Sequence, residues 1–101
     1  MKNEKKLSKV DIIIFLREHK NELHDRFGIT KIALFGSHAR GDDRDDSDID
    51  ILFEMKEKKF NKQFELQEFL EKRFQKKIDL GTFESIHPFV MRFVEKDLIY
   101  A

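Results

Sequence analysis

The stretch Gly36-Ser37-His38-Ala39-Arg40-Gly41-Asp42-Asp43-Arg44-Asp45-Asp46-Ser47-Asp48-Ile49-Asp50 decides how this chain reads. A glycine-serine turn opens it, and two carboxylates spaced by two close it. Apolar runs flank it, Ile32-Ala33-Leu34-Phe35 before and Ile49 to Phe53 after. Such runs, bounded by glycines or charged loops, read as strands. We assign Ile29 to Phe35 as one strand and Asp48 to Glu54 as a second. In the second, Ile49, Ile51 and Phe53 alternate with Asp48, Asp50 and Leu52. Asp48 and Asp50 then share one face, about 6–7 Å apart along the backbone. Aspartate is a poor strand former, and like charges this close repel unless a cation lies between them. All-oxygen ligands of this kind suit magnesium, which takes one or two carboxylates plus substrate phosphates.

The other end of the stretch suits an anion. Gly36 lets backbone approach a phosphate closely, and Ser37 adds a hydroxyl. Ser37 is also a candidate cap for a short helix through Ala39 and Arg40 that Gly41 ends. Arg40 and Arg44 are candidates for charge-assisted phosphate contacts. A glycine-serine pair alone is equally an ordinary turn. His38 reads as facing solvent ahead of the alternative that it faces a nucleotide, and Asp42, Asp43, Asp45 and Asp46 read as solvated loop charges that tolerate change.

Outward from the stretch the elements follow simple periodicities. Residues 1–7 are a lysine-rich start expected to fray. Ser8 and Asp11 resemble a capping box. Ile12, Leu16, His19, Leu23 and Phe27 then recur at helical spacing up to Gly28, which predicts one scaffold helix. Phe60, Phe64, Leu66, Phe69, Leu70 and Phe74 predict a second helix over about residues 60–75, its phenylalanine stripe turned to the core. Ile78-Asp79-Leu80 reads as a short strand closed by Gly81. Asp79 is a carboxylate in an apolar setting, an exposed edge residue when taken alone. Were its strand to lie beside Asp48 and Asp50, three carboxylates would converge. Ser85 is placed as the cap of a last helix, with Pro88 in its first turn and Phe89, Phe93 and Val94 on its buried side. Leu98-Ile99-Tyr100 reads as an edge strand. This order predicts a small α/β (α+β) sheet of three to four strands covered by helices.

Bulk composition bounds the function. The 101 residues suit one domain, 1–101, with one modest core. Lys and Arg number 20 and Asp and Glu number 20, so no basic excess argues for direct nucleic-acid binding. There is no cysteine, which removes disulfides and cysteine–zinc sites. Met1 to Lys9 has no apolar core of a signal peptide, and no apolar run approaches a membrane span. A cytoplasmic protein is the expectation. Ser37 has no evident general base, and His19, His24 and His87 lack metal-ligand spacing.

Gly36-Ser37-x-Ala39-Arg40-Gly41 followed by Ser47-Asp48-x-Asp50 resembles the signature of the nucleotidyltransferase superfamily related to DNA polymerase beta. The likeness is to its short branch, the minimal nucleotidyltransferases, antitoxin partners of HEPN-domain RNase toxins. It extends to Ile78-Asp79-Leu80 and to the short C-terminal helix. The resemblance implies a mixed sheet in the polymerase beta-like fold. It implies that Gly36 and Ser37 hold the β- and γ-phosphates of ATP. It implies that Asp48 and Asp50 bind two magnesium ions, and that Asp79 completes the site and acts on the attacking hydroxyl. Arg40 matches the motif, with a structural role equally open to it; Arg44 lies in its variable part. Gly81 stands where relatives carry an apolar residue.

The activity implied is transfer of AMP from ATP to a hydroxyl, a tyrosine of the cognate HEPN toxin, which silences it. Two alternatives share these features. One is an antitoxin that acts by binding alone. The other is a small-molecule, antibiotic-type nucleotidyltransferase, for which 101 residues leave little room.

Overall fold

The computed structural model describes residues 7–101. Four strands form one sheet in the order β3-β2-β1-β4: β1 (Ile29–Phe35), β2 (Ile49–Met55), β3 (Ile78–Thr82) and β4 (Ile99–Tyr100). Both β2 and β4 run antiparallel to β1, while β3 runs parallel to β2. The sheet is therefore mixed. The parallel β2–β3 pair needs a crossover, and α4 (Phe60–Phe74) supplies it.

One sheet face carries the core. Ile32 and Leu34 of β1, Ile49, Ile51 and Phe53 of β2 and Ile78 of β3 pack there with Ile12, Leu16, Leu23, Phe27, Leu66 and Leu70 from the helices. By alternation, Lys31, Ala33, Phe35, Asp50, Leu52, Glu54, Asp79, Gly81 and Tyr100 belong to the opposite face. The site lies on that second face, so the hydrophobic core fixes its floor without occupying it.

The capping box forms as expected: Asp11 N–H donates to Ser8 Oγ at 3.3 Å, and Ser8 N–H donates to Asp11 Oδ2 at 3.0 Å. Leu7, expected to fray, packs against the core; the remainder of the lysine-rich start, 1–6, lies outside the described residues. The single helix expected up to Gly28 is two, α1 (Lys9–Glu18) and α2 (Lys20–Phe27). They meet at His19, whose backbone leaves helical geometry at φ −102° and ψ 16°. Its Nδ1 sits 2.9 Å from Phe15 O and its ring stacks on the Phe15 ring. Leu23 N–H still donates to His19 O, so the break is slight and the apolar stripe runs through it.

Four other expectations change. The α4 stripe buries Leu66 and Leu70, but Phe60 and Phe64 are 79% and 64% exposed. The last helix, α5 (Pro88–Val94), is capped by His87, whose Nδ1 accepts from Phe89 N–H at 3.0 Å. Ser85 belongs instead to a preceding 3-10 turn that Thr82 caps. No α5 residue is buried, and Phe89 and Phe93 are 61% and 59% exposed. Gly81 does not close β3: it pairs with Leu52 inside the strand. No helix among the described residues is long and apolar enough to cross a membrane.

Candidate active site

Two backbone pairings build the site. Phe35, the last residue of β1, pairs with Asp50, and Asp50 pairs in turn with Asp79 on β3. Gly36 follows Phe35 directly and opens α3 (Gly36–Arg40). The chain turn and the two carboxylates thus fall in one row across the sheet. Gly36 has φ +76°, a conformation that favours glycine, and a β-carbon added there would overlap Asp50 Oδ2 and lie 3.0 Å from its Cγ. Ser37 does not cap α3. Phe35 takes that place in extended geometry, and Ser37 sits within the first turn.

Asp50 and Asp79 interact. Burial pushes the Asp50 carboxyl up to about 6; the charge on Asp79, a hydrogen bond shared with Asp79 and the charge on Asp48 push the same way, against Arg40. Asp50 is half-buried and Asp79 exposed. Asp48 lies one residue before β2 begins, and it raises Asp50 less than Asp79 does. Among the described residues, no three acidic or histidine side chains are gathered as a ready-made ligand cluster. The tight relationship is the Asp50–Asp79 pair, with Asp48 at its margin. These donors fit magnesium: all are hard oxygens, and Asp50 carries a repulsion that a cation would relieve.

The arginines divide. Arg40 Nε donates to Asp42 Oδ2 at 3.1 Å, and its terminal nitrogen to Asp97 Oδ2 at 3.3 Å. It ties α3 to the 3-10 turn Glu95–Asp97 after α5 while facing the field of Asp50. Arg44 sits in a closed loop, where its N–H donates to Ser47 Oγ at 2.8 Å and its carbonyl accepts from Ser47 N–H at 3.0 Å.

Two expectations in the loop are corrected. His38 is not solvated: it is 1% exposed, on the buried side of α3, with Nε2 3.5 Å from Asp43 Oδ2. Asp43 is accordingly shielded, unlike the exposed Asp42, Asp45 and Asp46.

Sequence reasoning missed the residues that set Asp79. Glu71 on α4 accepts the Ile78 N–H at 3.0 Å, and Gln67 Nε2 donates to Ile78 O at 2.9 Å. The Ile78 N–H, with Gln67, holds the Glu71 carboxyl below its ordinary value. A Gln-x-x-x-Glu pair on one helix face was the available signal, but it reads as two solvent-facing side chains until β3 is placed against it.

Comparison with known proteins fits this arrangement. Residues 16–101 match the nucleotidyltransferase domain family. The chain belongs to that family. A Methanocaldococcus jannaschii protein provisionally named a protein adenylyltransferase is 48% identical over 89 residues, covering 84% of this chain and 89% of the relative. The protein adenylyltransferase MntA of Thermococcus cleftensis is 36% identical, covering 89% of this chain and 92% of the relative. A solved structure provisionally described as a minimal nucleotidyltransferase superposes with a TM-score of 0.76 at 26% identity, covering 94% of this chain and 97% of its own. This nucleotidyltransferase is thus an α+β enzyme of the minimal type.

Proposed function

We propose that this nucleotidyltransferase transfers AMP from ATP to a tyrosine hydroxyl of a cognate HEPN toxin, acting in the cytoplasm as its antitoxin. The observation that carries the reading is the abutment of Gly36 on Asp50, which in turn pairs with Asp79. A glycine turn and a carboxylate pair meet with no side chain between them. The family's motif and the names of its relatives support AMP as the group and a protein as the acceptor.

Each residue then has a task. Gly36 and Ser37 hold the β- and γ-phosphates through backbone N–H groups and the Ser37 hydroxyl. Asp48, Asp50 and Asp79 hold magnesium, two ions in the motif's usual form. When bound, magnesium supplies stabilisation of the charge on the entering and leaving oxygens of an in-line displacement. Asp79, the most exposed of the acids, takes the proton of the acceptor hydroxyl. The hydroxyl oxygen bonds to the α-phosphorus, the bond to the β-phosphate bridging oxygen breaks, and pyrophosphate leaves toward Gly36 and Ser37. Positioning and electrostatics do the rest. Arg40 adds positive field while pinned by Asp42 and Asp97; Arg44, on its exposed loop, reaches the phosphates only from outside. The 101 residues act as one domain.

The test is incubation of the protein with labelled ATP, magnesium and the product of the adjacent gene, followed by intact mass and peptide mapping. Label on a partner tyrosine is expected. Asp48→Asn with Asp50→Asn should abolish it while the fold survives, since charge changes more than volume. A toxin silenced without label would show that binding alone neutralises it. Label on a small acceptor instead would point to the small-molecule reading.

A further inference from the structure

The second sheet face carries a feature that the phosphate chemistry does not use. Phe83 follows β3 at one edge of the sheet, and Tyr100 lies in β4 at the other. Their strands are three strand spacings apart, about 14 Å, yet their rings meet over the middle of the sheet with centroids 6.0 Å apart and planes 7° from parallel. Lys31 of β1 lies over both, with Nζ 4.7 Å from the Phe83 centroid and 5.7 Å from that of Tyr100. One cation over two near-parallel rings means that the rings present a common face.

The position of this platform is set by register. Tyr100 pairs with Ala33, which pairs with Leu52, which pairs with Gly81. That row is two residues, about 7 Å, from the row Phe35–Asp50–Asp79. It lies on the side away from Gly36. A nucleotide whose β- and γ-phosphates lie at Gly36 and whose α-phosphate lies at Asp50 leaves its sugar and base at the Asp50 end, about 7 Å from the row that carries the rings. Ala33, Leu52 and Gly81 floor that row, with Ala33 and Leu52 buried, and Tyr100 is 48% exposed.

We propose that Phe83 and Tyr100 form the stacking platform for the nucleobase, with Lys31 as a displaceable occupant; this rests on the nucleotidyltransfer reading above. The magnitudes favour displacement. A lysine over an exposed ring gains about 0.5–1 kcal/mol, whereas a base on an aromatic side chain gains about 1–3 kcal/mol. Stacking is tolerant of base identity because every base has a π-face. The platform therefore secures a nucleotide over free polyphosphate without strict choice of base. The same rings would also accept an aromatic side chain of the protein acceptor, and the test separates the two.

Tyr100 is the single tyrosine, and the chain has no tryptophan, so its fluorescence reports the platform directly. The protein is titrated with magnesium-ATP and, separately, with magnesium tripolyphosphate. Quenching by ATP and none by tripolyphosphate is expected. Phe83→Leu, which keeps bulk but loses the π-face, should weaken ATP binding about 5- to 100-fold and leave tripolyphosphate affinity unchanged. Tyr100→Phe should retain ATP affinity, measured by calorimetry. Equal affinities for ATP and tripolyphosphate in the wild type, or equal losses of both in Phe83→Leu, would overturn the platform while leaving the transferase reading intact. Loss of acceptor labelling in Phe83→Leu with normal ATP affinity would assign the rings to the acceptor and overturn it as well. Failure of the wild type to bind either ligand would remove the transferase reading and the platform with it.

Discussion

The backbone of Gly36 lies against the Asp50 carboxylate so closely that no β-carbon fits between them. Gly36→Ala therefore meets two penalties. The left-handed backbone at φ +76° costs a non-glycine residue about 1–2 kcal/mol, and the methyl group must also displace Asp50. Gly41 is the control, since it has φ +85° with nothing within 4 Å of an added β-carbon. Gly41→Ala should lose only the backbone share. Gly36→Ala should lose more stability in urea unfolding and all AMP transfer. Equal effects would show that Gly36 matters only for its dihedral angles.

That relationship also marks how far the sequence could be read. β1 and β2 were legible because Ile49, Ile51 and Phe53 alternate with Asp50 and Leu52 beside glycine and charged breaks. The carboxylate at Asp79 was legible as an anomaly within Ile78-Asp79-Leu80. Register was not legible, because pairings such as Phe35 with Asp50, Asp50 with Asp79 and Tyr100 with Ala33 depend on which strands meet, and no local pattern encodes that. His38 was misread because polarity predicts exposure only where no partner folds back, and Asp43 does fold back.

His38 and Asp43 make the loop less tolerant than its composition suggests. Asp43→Ala removes the acid beside a ring that is 1% exposed. Loss of a buried polar partner costs about 1–3 kcal/mol, so the melting temperature should fall clearly. Asp45→Ala and Asp46→Ala, at exposed positions, should stay within about 0.5 kcal/mol of the wild type. Three equal melting temperatures would return Asp43 to the solvated class.

The phenylalanines split by burial, which their spacing concealed. Phe27 is 2% exposed within the core, and Phe27→Ala should cost about 3–5 kcal/mol. Phe89 and Phe93 touch each other edge-on at 5.6 Å on a helix with no buried residue. Phe89→Ser with Phe93→Ser should cost less than about 1 kcal/mol. Denaturant unfolding of the two variants gives the comparison, and a large loss in the second would mean that α5 supports the fold.

Asp50 should make the metal-free protein less stable than its neutral analogue. Burial and the neighbouring Asp79 raise its carboxyl from 3.8 to about 6. Between those values the folded chain keeps a proton that the unfolded chain has released. Stability therefore falls as pH rises through that window and levels off above about pH 6. The shift corresponds to about 3 kcal/mol unscreened, and partial solvent access reduces this to about 1–2 kcal/mol. Asp50→Asn abolishes the penalty, so at pH 7 without metal the variant should melt several degrees higher, and the difference should vanish near pH 4. Magnesium should then raise the melting temperature of the wild type and not that of the variant, because the repulsion that makes Asp50 unfavourable alone is what gives a cation its affinity. A variant no more stable at pH 7, or one that magnesium stabilises as much as the wild type, would place the cation away from Asp50.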